Sequence, residues 1–393
     1  MTPAEAQVIA DWLGRRTDEM GALLERLIAC ESPSGDPEGL SAAFAVLAEE
    51  LEQLDYVVTR LPGPSAGDTL EARPRGAPAE GDYQLLVGHI DTVWPRGTVA
   101  ERPPAVSGDQ LSGPGAYDMK AGLVQMVFAV RVLGALGHSP TVTPVVLVNG
   151  DEEAGSRDSR EQIARLAGNA ARAFVLEPSF GAAGKLKTAR KGIGRFTVTV
   201  KGRASHAGLA PEAGISAILE ASYQVQRLFD LNDLNRGITV NVGTIDGGLR
   251  TNIIAPEVTA EVEVRVATAA DGEAVEQAIR ALKPVQQGAE VVVEGGFGRP
   301  PLERTPRNRA LWQAAEAAAG TLGLRLQEAS VGGASDGNIT SLYTATLDGL
   351  GAVGGGAHAV DEHVVVSRMP ERAALLAVLL MLEPTREPNH ARP

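Results

Sequence analysis

The sequence predicts an α/β fold in which a large domain with a largely parallel sheet carries a small inserted domain of ferredoxin-like order. Two observations lead to this prediction. In the first half of the chain, short apolar runs alternate with segments of helical apolar spacing, which is typical of a parallel sheet covered by helices. From about residue 192 the apolar residues alternate with polar ones instead, and a second set of elements follows.

The first half of the chain supplies most elements of the large domain. Short apolar runs predict buried parallel strands at residues 84–87, 142–149 and 173–176. Helical spacing of apolar residues predicts helices at residues 23–28, 44–54 and 121–136, and an apolar run predicts a buried C-terminal helix at residues 373–382. The candidate functional residues introduced below follow directly after the strand runs, where open α/β sheets place their sites.

The inserted domain is predicted from the order strand, helix, strand, strand, helix, strand. These six elements occupy residues 196–200, 214–231, 238–242, 258–266, 273–282 and 290–294. That order is the ferredoxin-like arrangement. The segment Arg299-Pro300-Pro301-Leu302 then marks the return to the first domain. We therefore predict a discontinuous large domain at residues 1–190 and 299–393, with the inserted domain at residues 191–298.

The composition argues against several classes of protein. Of 393 residues, 44% are hydrophobic and 22% charged, as expected of a folded chain rather than a disordered one. The net charge of -13 repels a phosphate backbone, so no nucleic-acid partner is expected. The longest apolar run is shorter than the roughly 20 residues that span a bilayer, so no membrane partner is expected. The single Cys30 and an N-terminus without an apolar signal core predict a cytoplasmic protein.

Five separated segments carry residues that suit a pair of metal ions. Imidazole nitrogens and carboxylate oxygens are ligands that zinc-sized divalent ions take. The candidate ligands are two histidines and three acids, namely His89, Asp118, Glu153, Glu177 and His358. Three ionised acids would repel one another without a metal, so a pair of cations sharing Asp118 makes chemical sense of the cluster. Glu152 is then left to act as a base.

Neighbouring residues distinguish the two candidate histidines from ordinary ones. Asp91 lies two residues after His89, on the same side of an extended segment, where it can accept the second ring N–H and fix the tautomer. For the last ligand we prefer His358 to His363, because three glycines before His358 allow close approach of the backbone. His363 instead begins an apolar run typical of a strand.

In their order and in their residues, the five segments resemble the di-zinc metallopeptidase superfamily of aminoacylase, acetylornithine deacetylase and carboxypeptidase G, and the resemblance extends over nearly the whole chain. The shared pattern is Gly-His-x-Asp-Thr-Val, Asp-Met-Lys, a Glu-Glu pair before Gly-Ser, a further acid and a late Gly-rich His. The resemblance implies a di-zinc peptidase domain with an inserted lid and dimerisation domain. Ala121 departs from the pattern, which has glycine there.

The resemblance also assigns the ligands. It implies that His89 and Glu177 hold one zinc, that Glu153 and His358 hold the other, and that Asp118 bridges them. We therefore expect two Zn²⁺ per chain, for which Co²⁺ or Mn²⁺ could substitute.

Residues of the inserted domain, and Lys185 in the segment that leads into it, have roles only through this resemblance. His206 matches a histidine that reaches the partner subunit's active site and polarises the scissile carbonyl, which implies a homodimer paired through the lid. Asn252 and Arg265 match positions that bind the free carboxylate of the substrate, although a solvated strand face would also explain Arg265. Lys185 matches a position lining the pocket in the glutamate-releasing branch. It begins a basic stretch that is either a solvated hinge or an electrostatic funnel for an anion.

We therefore predict a zinc-dependent hydrolase of amide bonds that releases a C-terminal amino acid, preferably glutamate, from acyl-glutamate or folate-like substrates. Glu152 would take a proton from the attacking water and return it to the leaving nitrogen, and His206 would stabilise the oxyanion. The alternative enzyme is an N-acyl amino acid deacylase of the acetylornithine deacetylase or aminoacylase type. A non-catalytic binding protein would have lost the base or a ligand. A serine hydrolase is a weaker hypothesis, because we expect no Gly-x-Ser-x-Gly nucleophile elbow and the carboxylates would be unexplained.

Overall fold

The computed structural model describes residues 1–65, 67–77 and 82–383, which form two compact units. The large unit comprises Met1–Thr188, Arg304–Ser330 and the chain from Ser335. The small unit comprises Ala189–Glu303 together with the short segment Val331–Ala334. The sequence predicts the junctions at residues 190/191 and 298/299 and gives no sign of the second segment of the small unit. Residues 384–393 of the predicted large domain lie outside the described residues.

Helices and strands alternate along most of the described chain. The helices are α1 (Pro3–Gly14), α2 (Thr17–Ala29), α3 (Pro37–Glu52), α4 (Thr98–Glu101), α5 (Ala121–Ala135), α6 (Arg160–Ala167), α7 (Ala217–Phe229), α8 (Ala269–Arg280), α9 (Pro306–Gly320), α10 (Asp336–Tyr343) and α11 (Met369–Leu380). The strands of the first half are β1 (Tyr56–Leu61), β2 (Thr69–Pro74), β3 (Tyr83–His89), β4 (Ala105–Ser107), β5 (Gln110–Ser112), β6 (Thr143–Asn149), β7 (Ala170–Val175) and β8 (Leu186–Arg190). The remaining strands are β9 (Gly192–Lys201), β10 (Thr239–Gly247), β11 (Glu257–Val266), β12 (Glu290–Arg299), β13 (Glu328–Val331), β14 (Thr346–Leu347), β15 (Gly354–Gly355) and β16 (His363–Val365).

A six-stranded sheet organises the large unit, in the order β1-β2-β6-β3-β7-β14. Strands β6, β3, β7 and β14 run parallel, whereas β1 and β2 extend the sheet in antiparallel fashion. Every residue of β3 is buried, as expected of a strand covered on both faces. The predicted α/β class with a largely parallel sheet is therefore confirmed, and β1 with β2 is an antiparallel addition that the apolar runs did not predict.

Helices α5 and α11 pack together over the central sheet. The Gln84 side-chain amide, on β3, donates a hydrogen bond of 2.8 Å to the carbonyl of Leu380 at the end of α11. Gly122 permits close packing of α5, because a Cβ there would lie 2.1 Å from the carbonyl oxygen of Leu176. Ala121 is buried at the start of the same helix, so the structure accommodates its methyl group. No helix in the described residues is long and apolar enough to cross a bilayer.

The small unit is built on a four-stranded antiparallel sheet. Its strands lie in the order β10-β11-β9-β12 and follow one another along the chain as β9-α7-β10-β11-α8-β12. This is the predicted ferredoxin-like arrangement. Helix α7 begins at Ala217 rather than at residue 214, because Pro211–Ala213 forms a separate 3-10 turn and the Ser216 side chain caps the helix.

A sheet of short strands holds the loop that carries His358. Its order is β15-β16-β5-β4, and β15 pairs antiparallel with β16. His358 lies in the loop between these two strands with φ of 60°, a left-handed conformation that is uncommon for a residue other than glycine. A further sheet contains only β13 and β8.

Candidate active site

The predicted metal ligands of the large unit follow its parallel strands. His89 is the last residue of β3, Glu152 and Glu153 come shortly after β6, and Glu177 comes two residues after β7. The carboxyl ends of parallel strands meet at one edge of a sheet, and this is where open α/β folds place their sites. Asp118 belongs to an irregular helical turn, Ala116–Lys120, directly before α5, and its peptide bond to Met119 is cis.

Each of the five predicted ligands lies within 4 Å of at least one other. His89 Nε2 is 3.2 Å from Asp118 Oδ1 and 3.6 Å from Glu177 Oε1. His358 Nε2 is 3.1 Å from Glu153 Oε1 and 3.6 Å from Asp118 Oδ2. Each imidazole therefore faces a different oxygen of Asp118, which lies between them as a bridging ligand would.

The spacing of these atoms suits transition-metal ligation. Tetrahedral zinc with bonds of about 2.0–2.1 Å separates its ligand atoms by roughly 3.3 Å, which is close to the distances just given. Glu152 also contributes an atom to the cluster, because ligand atoms of His89, Glu152 and Glu177 all lie within 4.8 Å of one another. The residues present thus fit a transition-metal centre, with Asp118 between the two imidazoles and Glu152 beside them.

The histidines bind protons tightly in this acidic surrounding. Burial by itself lowers the pKa of His89, yet hydrogen bonds to Asp118, Asp91 and Glu177 outweigh it and hold that pKa well above its usual range. The hydrogen bond to Glu153 raises the pKa of His358 to about 9. Burial raises the pKa of Glu153. The cluster therefore favours positive charge, which bound cations could supply in place of these protons.

Asp91 joins the first histidine to the segment that carries Glu152. The Asp91 side chain is fully buried, and its Oδ1 lies 3.3 Å from His89 Nδ1. The Asp91 carboxylate accepts the backbone N–H groups of Glu152 and Glu153, both at 3.1 Å. His89 Nδ1 also lies 3.0 Å from the Asp91 carbonyl oxygen, so only acceptors face it and it carries the proton. Nε2 is then the nitrogen that can bind a metal.

Glu362 supports the turn that carries Asp118, a role that sequence analysis missed. Its carboxylate accepts the backbone N–H groups of Gly115, Tyr117 and Asp118 at 2.9, 2.9 and 3.0 Å. It also accepts the indole N–H of Trp94 at 2.9 Å. The sequence signal was available, because an acid four residues after a candidate ligand is an obvious supporting group, but its partners are distant in sequence.

The basic stretch that begins at Lys185 does not form a single solvated stripe. Lys185 itself is partly buried, and its backbone N–H donates to the Phe180 carbonyl at 3.1 Å. Lys187 and Arg190 are buried. Lys187 Nζ lies 3.9 Å from Glu177 Oε2, so it is Lys187 that lies next to a predicted ligand. The sequence alone does not distinguish this lysine from the other basic residues of the stretch.

The candidate residues of the small unit lie on its surface. His206 is exposed, and its Nδ1 accepts the backbone N–H groups of Gly208 and Leu209, both at 3.1 Å. Nδ1 is therefore the acceptor, and Nε2 carries the proton and can donate it to a hydrogen bond. The loops of His206 and Asn252 are joined, because the Ala207 N–H donates to the Asn252 carbonyl at 3.0 Å.

Arg265 lies on β11 of the same unit. Its Nε donates to Glu263 at 2.8 Å, and one terminal nitrogen donates to the Gly332 carbonyl at 2.7 Å. About a third of the side chain remains exposed. Arg265 is thus held by a neighbouring carboxylate and a carbonyl while part of its guanidinium stays accessible.

The expectation of no Gly-x-Ser-x-Gly segment is wrong, because residues 333–337 read Gly-Ala-Ser-Asp-Gly. The serine of this segment, Ser335, is fully buried and caps the start of α10. Its hydroxyl donates to Asp348 Oδ2 at 2.6 Å. A nucleophile elbow must instead expose its serine at the top of the sheet, so Ser335 has a structural role.

Known proteins resemble this chain over most of its length. The sequence profile of peptidase family M20/M25/M40 matches residues 85–382. Carboxypeptidase G2 of Pseudomonas sp. (strain RS-16) is 34% identical over 378 residues, which cover 93% of this chain and 90% of that protein. Succinyl-diaminopimelate desuccinylase of Delftia acidovorans (strain DSM 14801 / SPH-1) is 26% identical over 366 residues, 88% of this chain and 93% of that protein. The crystal structure of aminopeptidase PepT from Bacillus cereus ATCC 10987 superposes with a TM-score of 0.78 at 22% identity, covering 93% of this chain and 98% of that one.

Proposed function

The chain belongs to peptidase family M20/M25/M40, as its five segments predicted, and from this membership we propose a metallohydrolase that uses two zinc ions to release a C-terminal amino acid, preferably glutamate. The observation that carries the proposal is the cluster of His89, Asp118, Glu153, Glu177 and His358 with Glu152 beside it. Two imidazoles and three carboxylates, one of which lies between the two imidazoles, suit a pair of zinc ions better than a single ion.

Glu152 is the proposed base. Bound cations would supply Lewis-acid chemistry, activating water and polarising the scissile carbonyl. Glu152 accepts a proton from the attacking water and then delivers it to the leaving amide nitrogen. Asp91 holds the backbone of Glu152 in place, and its contact with the His89 ring fixes the tautomer. These positions allow Glu152 to serve both transfers without a change of residue.

The substrate is proposed to be an amide whose leaving amino acid has a free carboxylate. Asn252 and Arg265 are the proposed contacts of that carboxylate, and Lys185 is a proposed pocket residue. Glutamate is preferred because carboxypeptidase G2 is similar over 93% of this chain. The alternative is an N-acyl amino acid deacylase, which the similarity to succinyl-diaminopimelate desuccinylase supports.

We further propose a homodimer that pairs through the small unit. Its edge strand β10, the turn that follows β10, and helix α7 expose apolar side chains, namely Ile218, Leu219, Ile245 and Leu249. Ile218 Cδ1 would lie 3.2 Å from a Cβ at Gly248, so the helix and the end of the strand form one surface. Exposed apolar residues beside an unpaired strand edge favour association with a second copy. In such a dimer His206 is proposed to act in the partner subunit's active site.

A panel of amides tests the function. Zinc-loaded protein is offered N-acyl-glutamates and N-acylated neutral amino acids with the same acyl group, and release of free amine is measured. Elemental analysis should find two zinc ions per chain, and removing them with a chelator should abolish hydrolysis. Full activity of protein that contains no transition metal would contradict the proposal. Selection for the acyl group rather than for the leaving amino acid would favour the deacylase.

A further inference from the structure

The loop that carries the proposed base is held at both of its ends by one carboxylate. This base loop, residues 150–155, follows β6 and contains Glu152. The side-chain amide of Asn149, directly before the loop, donates to Asp336 Oδ2 at 2.6 Å. The hydroxyl of Ser156, directly after the loop, donates to Asp336 Oδ1. Each oxygen of the carboxylate therefore accepts a hydrogen bond from a different end of the loop.

Asp336 has a fixed place from which to hold the base loop. It is the first residue of α10, and only 2% of it is exposed. The start of α10 is anchored by contacts outside the loop, because the Ser335 hydroxyl donates to Asp348 Oδ2 at 2.6 Å. The helix also packs closely there, since a Cβ at Gly337 would lie 2.5 Å from the same oxygen. A negative charge suits the first turn of a helix, where backbone N–H groups lack partners within the helix.

The base loop turns sharply between these two ends. The Gly155 N–H donates to the Glu152 carbonyl at 2.8 Å, and Ser156 has φ of 52°. A residue other than glycine keeps such a φ only where its surroundings hold it. The Asp91 carboxylate holds the middle of the loop through the backbone N–H groups of Glu152 and Glu153. With Asp336 at both ends, the backbone that carries the base is held at three points.

We propose that Asp336 is a positioning residue for proton transfer, because it holds the base loop where Glu152 can reach first the attacking water and then the leaving nitrogen. The inference rests on the proposed function, in which Glu152 is the base. Proton transfer requires the carboxylate to lie within hydrogen-bonding distance of each partner. Misplacement of a reacting group by about 1 Å can lower the rate about 10²-fold. Loss of Asp336 would release both ends of the loop together, while four of the five proposed ligands lie on other segments.

The first test is Asp336→Ala, assayed with zinc in excess and checked for zinc content by elemental analysis. The value of kcat should fall about 10–100-fold, while KM stays within about twofold of the wild-type value. Asp336→Asn keeps one acceptor oxygen and therefore one end of the loop, so its kcat should lie between those of the wild type and Asp336→Ala. Ser156→Ala releases one end only and should also give an intermediate kcat.

A matched control separates this role from a general loss of stability. Asp271 is likewise a buried acid in the first turn of a helix, in α8 of the small unit, where it contacts Thr268 and Arg236. Asp271→Ala should lower the melting temperature but leave kcat at the wild-type value. Hydrogen–deuterium exchange of the base loop should become faster in Asp336→Ala and stay unchanged in Asp271→Ala. This measurement needs no substrate.

Three results would overturn the inference. Wild-type kcat in Asp336→Ala would show that Glu152 keeps its place without this carboxylate. A fall in kcat that only follows lost zinc would show that Asp336 supports the ligand Glu153 and not the base. If Asp336→Ala does not fold, wild-type kcat in both Asp336→Asn and Ser156→Ala would refute the inference. A wild-type enzyme that hydrolyses no amide contradicts the proposed function itself, whereas a kcat that depends on Glu152 but not on Asp336 contradicts only this inference.

Discussion

The two sheets of the molecule hold their candidate functional residues in opposite ways. At the carboxyl edge of the large unit's parallel sheet, His89, Asp91 and Glu177 are buried and in contact with other ionisable groups. On the antiparallel sheet of the small unit, His206 and Asn252 lie exposed on loops. Burial and mutual hydrogen bonding preorganise a metal site within a single unit. Side chains exposed on loops instead remain accessible to solvent and to other molecules.

The strands themselves show the same contrast. Every residue of β3 is buried, whereas most of β10 beyond Asn241 is exposed or half-buried. A fully buried strand leaves its end residues little freedom, so the ligands that follow it are placed accurately. An open edge strand with apolar side chains leaves the small unit ready for association.

The largest effect is expected for the base in the preorganised unit. Glu152→Gln keeps the shape of the side chain but removes the proton acceptor, so kcat should fall by about 10²-fold or more. Zinc content should stay at the wild-type value, because the five proposed ligands are intact. Steady-state kinetics with elemental analysis measures both quantities. The control is Glu161→Gln, an exposed acid on α6 with the same change of charge. Near-normal kcat in Glu152→Gln would move the base elsewhere.

The parallel sheet and the ferredoxin-like insertion could be predicted because their signals are local. The runs that became β3, β6 and β7 are mostly apolar, and the burial of β9 and β11 alternates along the strand. Strands β1 and β2 carry arginines and partly exposed residues, so their periodicity is weak. Strands β15 and β14 have only two residues each, too few to show any period.

The residues of the candidate site could be predicted from the sequence, but the residues that hold them in place could not. His89 ends one apolar strand and Glu152 comes shortly after another, each within a recognisable sequence motif, so their segments stand out along the chain. Glu362 accepts a hydrogen bond from the backbone of Asp118, which lies 244 residues away in sequence. Lys187 lies beside Glu177 although several residues separate them in sequence. Only the folded chain brings these groups together. The buried role of Ser335 was likewise hidden, because a motif does not report whether its serine is exposed.

A second prediction is that the affinity for zinc depends on Asp91 in the large unit but not on Arg265 in the small unit. The Asp91 carboxylate accepts hydrogen bonds from the backbone N–H groups of Glu152 and Glu153. In Asp91→Asn, the amide NH₂ group would face one of these two donors, so one of the hydrogen bonds would be lost. The affinity for zinc should fall by about 10–100-fold, as is typical when a partner of a metal-binding histidine is lost. Competition with a chromogenic chelator measures the affinity. Arg265→Ala in the small unit serves as the comparison and should leave zinc affinity unchanged; equal losses in both variants would remove the contrast.

A third prediction follows from the raised pKa values of the two histidines. The pKa of His358 is raised to about 9 and that of His89 stands well above its usual range, so both imidazoles hold protons at pH 7 in the metal-free protein. A ligating imidazole must be neutral, so zinc uptake releases these protons. Affinity should therefore rise with pH by up to about tenfold per unit for each proton released, and the part of this rise that comes from His358 should level off above about pH 9. Calorimetry in buffers of different ionisation enthalpy counts the protons; no release at pH 7 would contradict the prediction.

The smallest expected signal tests whether the exposed His206 completes the preorganised site of a second subunit. His206→Ala and Glu152→Gln chains should each be nearly inactive as homodimers. In a heterodimer, the His206→Ala chain keeps its own Glu152 and receives His206 from its partner, so one of the two sites has both groups. The other site lacks both.

Statistical exchange of equal amounts makes about half of the dimers mixed, so activity should return to about a quarter of wild type. Each variant mixed with a tagged copy of itself controls for exchange and should recover nothing. Recovery would show that the small unit's exposed loop functions only across the dimer, which would explain why it is not buried within its own chain. Demonstrated exchange without recovery would instead place His206 in its own subunit's site or outside catalysis, and the contrast between the two sheets would then no longer require a second subunit.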